Sequence, residues 1–153
     1  MSEASPFKHA SADDSAGFLL WKLTALWQQQ LLRVLEAYGI THTQFVLLAS
    51  LRWFEESAEP PTQAHLAGHT KIDKMTLSKA LRKLETQGLV KRSASREDSR
   101  AVNVHFTAKG RSVVHQAVLA IEAADDRFFA GLDVKELATY KALTAALVRR
   151  NDL

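Results

Sequence analysis

Apolar and polar side chains separate onto two faces between Asp73 and Gly88, at the spacing of an α-helix. One face is apolar and suited to a core: Leu77, Ala80, Leu81 and Leu84. The other is cationic and hydrogen-bonding: Lys74, Met75, Ser78, Lys79 and Arg82. Asp73 suits a helix start because its carboxylate accepts from free first-turn N–H groups, and Gly88 suits a helix end. The pattern therefore predicts an amphipathic helix with one basic side.

After Gly88 the hydrophobic period falls to two, which is typical of β-strands. Leu89 and Val90 begin one predicted strand, and a second alternates apolar and polar residues from Val102 to Phe106. Arg96 and Arg100 lie in the polar loop between them. A basic helix followed by a hairpin with an arginine-bearing tip has a shape that fits a DNA duplex. The helix matches the major groove in width, and the tip can reach the backbone or the neighbouring minor groove.

The rest of the chain is predicted to be helical. Helical periodicity, caps and glycines predict further helices at residues 14–38, 41–56, 63–68, 108–130 and 133–150. Thr41 and Gln44 form a capping box, T-x-x-Q, for the second of these helices. Gly39 and Gly131 are expected to end the first and the fourth. The short helix capped by Thr62 is joined to the basic helix by a turn at residues 69–72, which makes a helix-turn-helix unit. The predicted fold class is mainly α with a small β-hairpin wing (α+β, predominantly α).

Composition narrows the class of protein further. The 153 residues are 46% hydrophobic, which suits one core, and there is no cysteine, which excludes disulfides and thiol redox sensing. No apolar run is long enough to span a membrane, and no signal sequence begins the chain, so we expect a cytoplasmic location. Residues 60–111 hold eleven Lys or Arg against four Asp or Glu, a net charge of +7, whereas the remainder carries −4. Taken alone, this charge distribution would fit an ordinary solvated basic surface. The basic residues coincide with the amphipathic helix and the hairpin, however, and this favours binding to nucleic acid.

Three motifs, in this order and spacing, give the chain a resemblance to a known family. They are L-E-T-Q-G-L-V-K-R at residues 84–92, D-S-R at 98–100 and T-A-K-G at 107–110. Together with the helices around them, they resemble the MarR family of bacterial winged-helix transcription regulators. The resemblance covers nearly the whole chain, from Phe18 to Leu147.

The resemblance implies a single domain over residues 1–153. Residues 14–40 and 108–150 would be dimerisation helices, and residues 41–107 the winged helix-turn-helix lobe that binds double-stranded DNA. The apolar terminal helices also favour a second copy of the chain as their partner, although a monomeric bundle would use the same stripes. The residues expected at DNA are Lys74, Met75, Thr76, Ser78, Lys79, Arg82, Arg92, Arg96 and Arg100. Thr76 lies at the margin of the DNA face, and a support role at the helix start would also explain it.

The resemblance further implies a homodimer on a pseudo-palindromic operator, with Arg100 at the minor groove and Asp98 supporting the wing by pairing with a basic side chain. Many members are repressors that release DNA when a small aromatic or phenolic effector binds. Aromatic candidates for such a pocket are Trp21, Trp27, Phe45 and Trp53, although aromatic residues on helices more often belong to the core.

The histidines raise the question of a metal site or an enzyme. His65 and His69 have the i, i+4 spacing of metal ligands, but no carboxylate completes the set, so ordinary surface or turn roles are expected. No catalytic constellation or cofactor motif is present, so an enzyme is not expected. A winged-helix module that binds an acidic protein instead of DNA remains the alternative.

Overall fold

The computed structural model describes residues 3–56 and 60–152 of the chain. Across these residues, six α-helices and one two-stranded antiparallel sheet form around a single hydrophobic core. The elements are α1 (Ala16–Leu35), α2 (His42–Phe54), α3 (Gln63–Thr70), α4 (Lys74–Thr86), β1 (Val90–Ala94), β2 (Val102–Phe106), α5 (Ala108–Phe128) and α6 (Val134–Asn151). The predicted fold class, a winged helix made mostly of α-helices, is confirmed.

The helix starts follow the caps in the sequence. Five side chains accept the first-turn N–H groups at the starts of α2 to α6: Thr41, Thr62, Asp73, Thr107 and Asp133. Gly39 and Gly88 both have left-handed backbones, with φ of 65° and 73°. Gly88 ends α4 in a Schellman motif, in which the Leu89 N–H donates to the Leu84 carbonyl and the Gly88 N–H to that of Glu85.

Four helix ends differ from the prediction by two or three residues. The helix α1 ends at Leu35, before a 3₁₀ turn at Glu36–Tyr38, and α2 ends at Phe54. The helix α3 runs on to Thr70, and Lys71 rather than Gly68 takes the left-handed conformation that ends it, with φ of 61°. The hydroxyl of Thr70 donates to the Leu66 carbonyl and closes this last turn. Gly131 was expected to end α5, but the helix ends at Phe128 and Gly131 has no positive φ. Gly131 lies in the turn that leads to α6.

The core lies where α2, α4 and α5 meet α1 and the sheet. Its most deeply buried members include Leu48 of α2, Leu84 of α4 and Val114 of α5. The apolar face predicted for α4 is confirmed, since Leu77, Leu81 and Leu84 are each at most 1% exposed. Burial of these leucines fixes which side of α4 faces outward.

The sheet is a hairpin attached to the core at its base. Val90 pairs with Phe106 and Ala94 with Val102, which places residues 95–101 at the tip. Val104 is buried, and its N–H donates to the Pro61 carbonyl at 3.0 Å. This contact joins β2 to the segment before α3, so the base of the hairpin is held while its tip projects.

The terminal helices bury little of their apolar surface within one chain. The helix α6 has no buried residue, although Leu143, Leu147 and Val148 lie along it. In the first half of α1, Leu20 is 66% and Trp21 73% exposed. An isolated helix of this length is only marginally stable in water, because helical stability comes mostly from packing of the apolar face.

Candidate nucleic-acid interface

The helix α4 turns its cationic face outward. This face, defined as Lys74, Met75, Ser78, Lys79 and Arg82, is solvent-exposed apart from the half-buried Ser78, and Met75 is 84% exposed. The same residues and Thr76 line one shallow concavity of about 640 Å³. The structure thus brings together all six residues that the sequence placed on or beside this face.

The start of the cationic face is fixed by a short hydrogen-bond network. One Asp73 oxygen accepts the Thr76 N–H at 2.9 Å, and the other accepts the Thr76 hydroxyl at 2.6 Å. These hydrogen bonds lower the pKa of Asp73 below its ordinary value, and the bond from the Thr76 hydroxyl has the largest effect. The hydroxyl of Thr76 therefore supports the helix start, the role that the sequence left open for this marginal residue.

The acid on α4 is neutralised away from the cationic face. Glu85 accepts from the Arg92 guanidinium, with 3.0 Å between Glu85 Oε1 and Arg92 Nη2. This hydrogen bond lowers the pKa of Glu85. Arg92 Nε donates to the second Glu85 oxygen at 3.4 Å, and Nη1 donates to Gln63 Oε1 at 3.3 Å. The exposed surface of α4 is consequently cationic, with its negative charge confined to a paired carboxylate in the last turn.

Arg92 occupies a different environment from the other predicted arginines. Its side chain is 24% exposed and links the base of β1 to α4 and α3 through Glu85 and Gln63. The sequence reasoning missed both partners, because Glu85 and Arg92 are seven residues apart across the Gly88 turn. The sequence feature that could have indicated this pairing is Glu85, the single acidic residue of an otherwise basic helix.

The hairpin tip carries Arg96 and Arg100, both exposed. Neither forms an ion pair within the described parts of the chain. Asp98 supports the tip, but its carboxylate accepts the Arg100 backbone N–H at 2.9 Å instead of pairing with a basic side chain, as the resemblance implied. The reason is local: a carboxylate two residues before an N–H closes an Asx turn. The Asp98 carbonyl also accepts the Ala101 N–H at 2.9 Å.

The four aromatic candidates do not share one site. Phe45 and Trp53 line a cleft of about 480 Å³ between α2 and α5, together with Arg52 and Asp125. Trp27 adjoins this cleft, because its indole N–H donates to Asp125 Oδ1 at 2.7 Å. Trp21 does not line the cleft and lies exposed in the first half of α1.

The histidines of α3 have structural roles. His65 Nδ1 accepts the Thr62 N–H and completes the capping box at the start of the helix. His69 packs edge-on against Phe54, with the ring centroids 5.2 Å apart. A capping hydrogen bond thus accounts for His65, and an aromatic contact accounts for His69.

Comparisons with known proteins agree with this geometry. A sequence profile described as ArnR1-like, winged-helix domain matches residues 36–122. The chain is 36% identical over 129 residues to the uncharacterized HTH-type transcriptional regulator YdcH of Bacillus subtilis, covering 84% of this chain and 88% of that protein. It is 32% identical over 138 residues to the HTH-type transcriptional repressor Rv2887 of Mycobacterium tuberculosis, covering 89% and 96%.

A solved structure provides the corresponding comparison in three dimensions. A mutant of Escherichia coli MarR complexed with operator DNA superposes with a TM-score of 0.78 at 25% sequence identity. The match covers 86% of this chain and 92% of that one. No helix in the described ranges has the length and hydropathy needed to cross a membrane.

Proposed function

Because this chain belongs to the MarR family of winged-helix transcriptional regulators, we propose that it is a ligand-responsive repressor that binds a pseudo-palindromic operator as a homodimer. The family and the relatives are DNA-binding regulators rather than enzymes. The observation that carries the proposal is the cationic face of α4, exposed and free of unpaired acid. The proposed site of action is the cytoplasm.

In this proposal α4 enters the major groove. Lys74, Lys79 and Arg82 neutralise phosphates, while Ser78 lies between them, short enough to approach base edges. Met75 offers an apolar contact for a thymine methyl group. The hydroxyl of Thr76, held by Asp73, places the Thr76 methyl and backbone near the duplex without supplying a free donor.

The wing is proposed to reach the neighbouring backbone and minor groove. Arg96 and Arg100 are the contacts, since both project from the tip. A narrow minor groove has an enhanced negative potential that attracts arginine. Arg92 is instead proposed to hold the wing at a fixed angle to α4, because its guanidinium is shared between Glu85 and Gln63.

The dimer is proposed to form through residues 14–40 and 108–150, with residues 41–107 as the DNA-binding lobe. Exposed apolar side chains on α1 and α6 support it, because water-exposed stripes of this extent are typical of interfaces. A two-fold dimer would present two copies of α4 to half-sites about one turn of duplex apart, or about 34–36 Å.

The effector is proposed to bind in the cleft between α2 and α5. Phe45 and Trp53 offer aromatic surface for a phenolic ring, and the Glu56 and Glu122 carboxylates that also line the cleft can accept its hydroxyl. Such a ligand would contact α2 of the DNA-binding lobe and α5 of the dimer region, which pack against each other. It would release DNA by favouring a different angle between the DNA-binding lobes of the two protomers.

Fluorescence anisotropy with DNA from beside the gene tests operator binding. Affinity should fall steeply with salt, and Lys79→Ala should make the slope of log K against log salt shallower by about 2 for a dimer, one lost phosphate contact per protomer. Lys8→Ala, outside the lobe, is the matched control and should leave the slope unchanged. If no duplex binds at physiological salt while an acidic protein partner does, the chain is a protein-binding winged helix instead.

A charge placed in the apolar stripe of α6 tests the dimer. Wild-type protein should sediment at twice the 17.0 kDa chain mass, and Leu143→Glu with Leu147→Glu should give monomers. Lys141→Glu, which also changes the charge of α6 but at a polar exposed position, should remain dimeric. A wild-type monomer at micromolar concentration, or a dimer unaffected by the paired substitution, contradicts the proposed interface.

A further inference from the structure

The C-terminal end of α4 is fastened to two other parts of the chain by side-chain hydrogen bonds. This end consists of Gln87, the C-cap, and Gly88, the left-handed residue after it. On one side, the Thr107 hydroxyl donates to the Gly88 carbonyl at 2.6 Å. The Lys109 ammonium donates to the Gln87 carbonyl at 3.3 Å. Both donors lie at the start of α5, so the end of α4 and the start of α5 are joined.

On the other side, two amide side chains form a continuous chain of hydrogen bonds. The Thr41 N–H donates to Gln44 Oε1 at 3.0 Å, and Gln44 Nε2 donates to Gln87 Oε1 at 2.9 Å. Gln87 Nε2 then donates to the Gly39 carbonyl at 3.2 Å. Every amide oxygen accepts and every amide nitrogen donates, so turning either amide over breaks two bonds at once.

Burial makes the Gln44 end of these hydrogen bonds costly to break. Gln44 is 2% exposed, whereas Gln87 is half-buried and its bond to the Gly39 carbonyl is exposed. A buried amide that loses its partner keeps the full cost of desolvation, whereas an exposed one bonds to water. These hydrogen bonds therefore favour one arrangement of α4 relative to Gly39, which lies between α1 and α2.

The leucines of α4 do not supply the same constraint. Leu77, Leu81 and Leu84 hold α4 on the core, but apolar contacts are non-directional and permit small rotations. Hydrogen bonds weaken steeply as their angle departs from linear. The amide chain thus adds an angular constraint at one end of a helix whose cationic face lies towards the other.

The distance between the two ends amplifies any error in angle. The path from Gln87 to Lys74 spans thirteen residues, or about 20 Å at about 1.5 Å per residue. A tilt of about 5° at Gln87 therefore moves Lys74 by about 1.7 Å. Such a shift is enough to break a contact with a base edge, and in a two-fold dimer both copies shift in opposite directions.

We propose that Gln44 and Gln87 are positioning residues, whose amide pair fixes the angle of α4 relative to the start of α2 and to Gly39, and thereby sets the half-site spacing that the dimer accepts. Neither side chain contacts DNA in this arrangement. The inference rests on the proposed dimeric operator binding, because spacing has meaning only when two copies of α4 bind one duplex.

The test compares duplexes that differ only in the spacing of their half-sites. A duplex selected by the wild-type protein from random-sequence DNA supplies the operator, which is then remade with one base pair added or removed and as a single half-site. One base pair moves a half-site by about 3.4 Å and rotates it by about 35°, so wild-type affinity should fall about tenfold on either change.

Length-matched apolar substitutions separate positioning from stability. Replacing both partners of a buried hydrogen bond with apolar groups of similar shape is nearly neutral in stability. Gln44→Met with Gln87→Met also removes the partners of the Thr41 N–H and the Gly39 carbonyl, so its thermal midpoint should fall by several degrees. Its affinity for the single half-site should stay about that of the wild type. Its discrimination between spacings should fall below about threefold. Thr86→Ala, at the adjacent exposed position, should retain the wild-type preference.

Each outcome decides the matter. If the double variant folds and retains tenfold discrimination, the amide pair does not set the spacing. If it does not fold, Gln87→Met alone, at the half-buried position, gives the same measurement. If the wild-type protein itself binds one protomer per duplex or accepts all spacings equally, the dimeric operator proposal fails, and this inference fails with it. Loss of half-site affinity in parallel with loss of spacing preference would indicate general damage to α4 and contradict a positioning role.

Discussion

Replacing Gly110 with alanine should destabilise the protein by forcing α5 away from the wing. Gly110 is buried in the first turn of α5, against the backbone that enters β1. A Cβ at this position would lie 1.8 Å from the Leu89 carbonyl oxygen and 2.7 Å from its carbon. Ordinary contact begins at 3.4 Å, so the two segments would have to separate by about 1.6 Å.

The hydrogen bonds at this junction set the size of the effect. Separation would break the bond from the Thr107 N–H to the Leu89 carbonyl, now 3.1 Å, and that from the Thr107 hydroxyl to Gly88, now 2.6 Å. Each is worth about 1 kcal/mol, and overpacking adds about 1–3 kcal/mol. The expected loss is therefore about 3–5 kcal/mol of a total stability of about 5–15 kcal/mol.

Urea denaturation followed by circular dichroism measures this loss, and a thermal scan should show the midpoint lowered by about 6–20 °C. Gly68→Ala is the matched control, since a Cβ there meets nothing within 4 Å and alanine favours the interior of α3. The control should be unchanged or up to about 1 kcal/mol more stable. A Gly110→Ala protein within about 0.5 kcal/mol of the wild type would refute the close approach of α5 to Leu89.

Three further predictions follow from buried or paired polar groups. Trp27→Phe removes the donor to the half-buried Asp125 carboxylate and should cost about 1–3 kcal/mol in urea denaturation; no loss would mean that water replaces the indole. Burial lowers the pKa of His42 below 6.5, so the unfolded state binds the proton more readily and the thermal midpoint should fall as the pH drops below about 6.5. His42→Phe should make the midpoint less dependent on pH, and a variant as pH-dependent as the wild type would contradict this reasoning. The Arg92 hydrogen bond lowers the pKa of Glu85, so the pair stabilises the fold above about pH 4.5, and this stabilisation is lost as the pH falls through the folded-state pKa. Arg92→Leu should return the Glu85 pKa, followed by NMR, to its ordinary range. An unchanged Glu85 pKa in this variant would contradict the pairing.

Side-chain contacts across long separations were not predictable from the sequence. Arg92 belonged to the expected DNA contacts because it is basic and near the wing, but its partners Glu85 and Gln63 lie 7 and 29 residues away. The same holds for the bond between Gln44 and Gln87, 43 residues apart. The capping box identified Gln44 by its bond to Thr41, but no spacing rule reveals the second bond of that amide.

Helix ends were predictable where one residue type decides them and uncertain where several residues compete. Gly88 ends α4 as expected, and Gly39 closes the 3₁₀ turn that follows α1, since glycine takes positive φ at little cost. Gly68 does not end α3, because the Thr70 hydroxyl and the packing of Leu66 carry the helix two residues further and leave the left-handed position to Lys71. A hydrogen bond within the last turn of the helix thus outweighed the preference for a glycine at the helix end.

By itself, the sequence determined the order of the elements, the caps that begin them and the outward cationic face of α4, because these depend on residues within one or two turns of each other. Hydrophobic period and charge were sufficient for a helix-turn-helix followed by a hairpin and for a basic face that suits DNA, and the three motifs added the resemblance to winged-helix regulators. Only the tertiary structure decided which polar side chains bond to others among the described residues. Arg92, Thr76 and Gln87 do so, whereas Arg96 and Arg100 project from the wing. The physical reason is that a hydrogen bond or ion pair requires two groups within about 3 Å, and folding alone brings groups from distant segments to that distance.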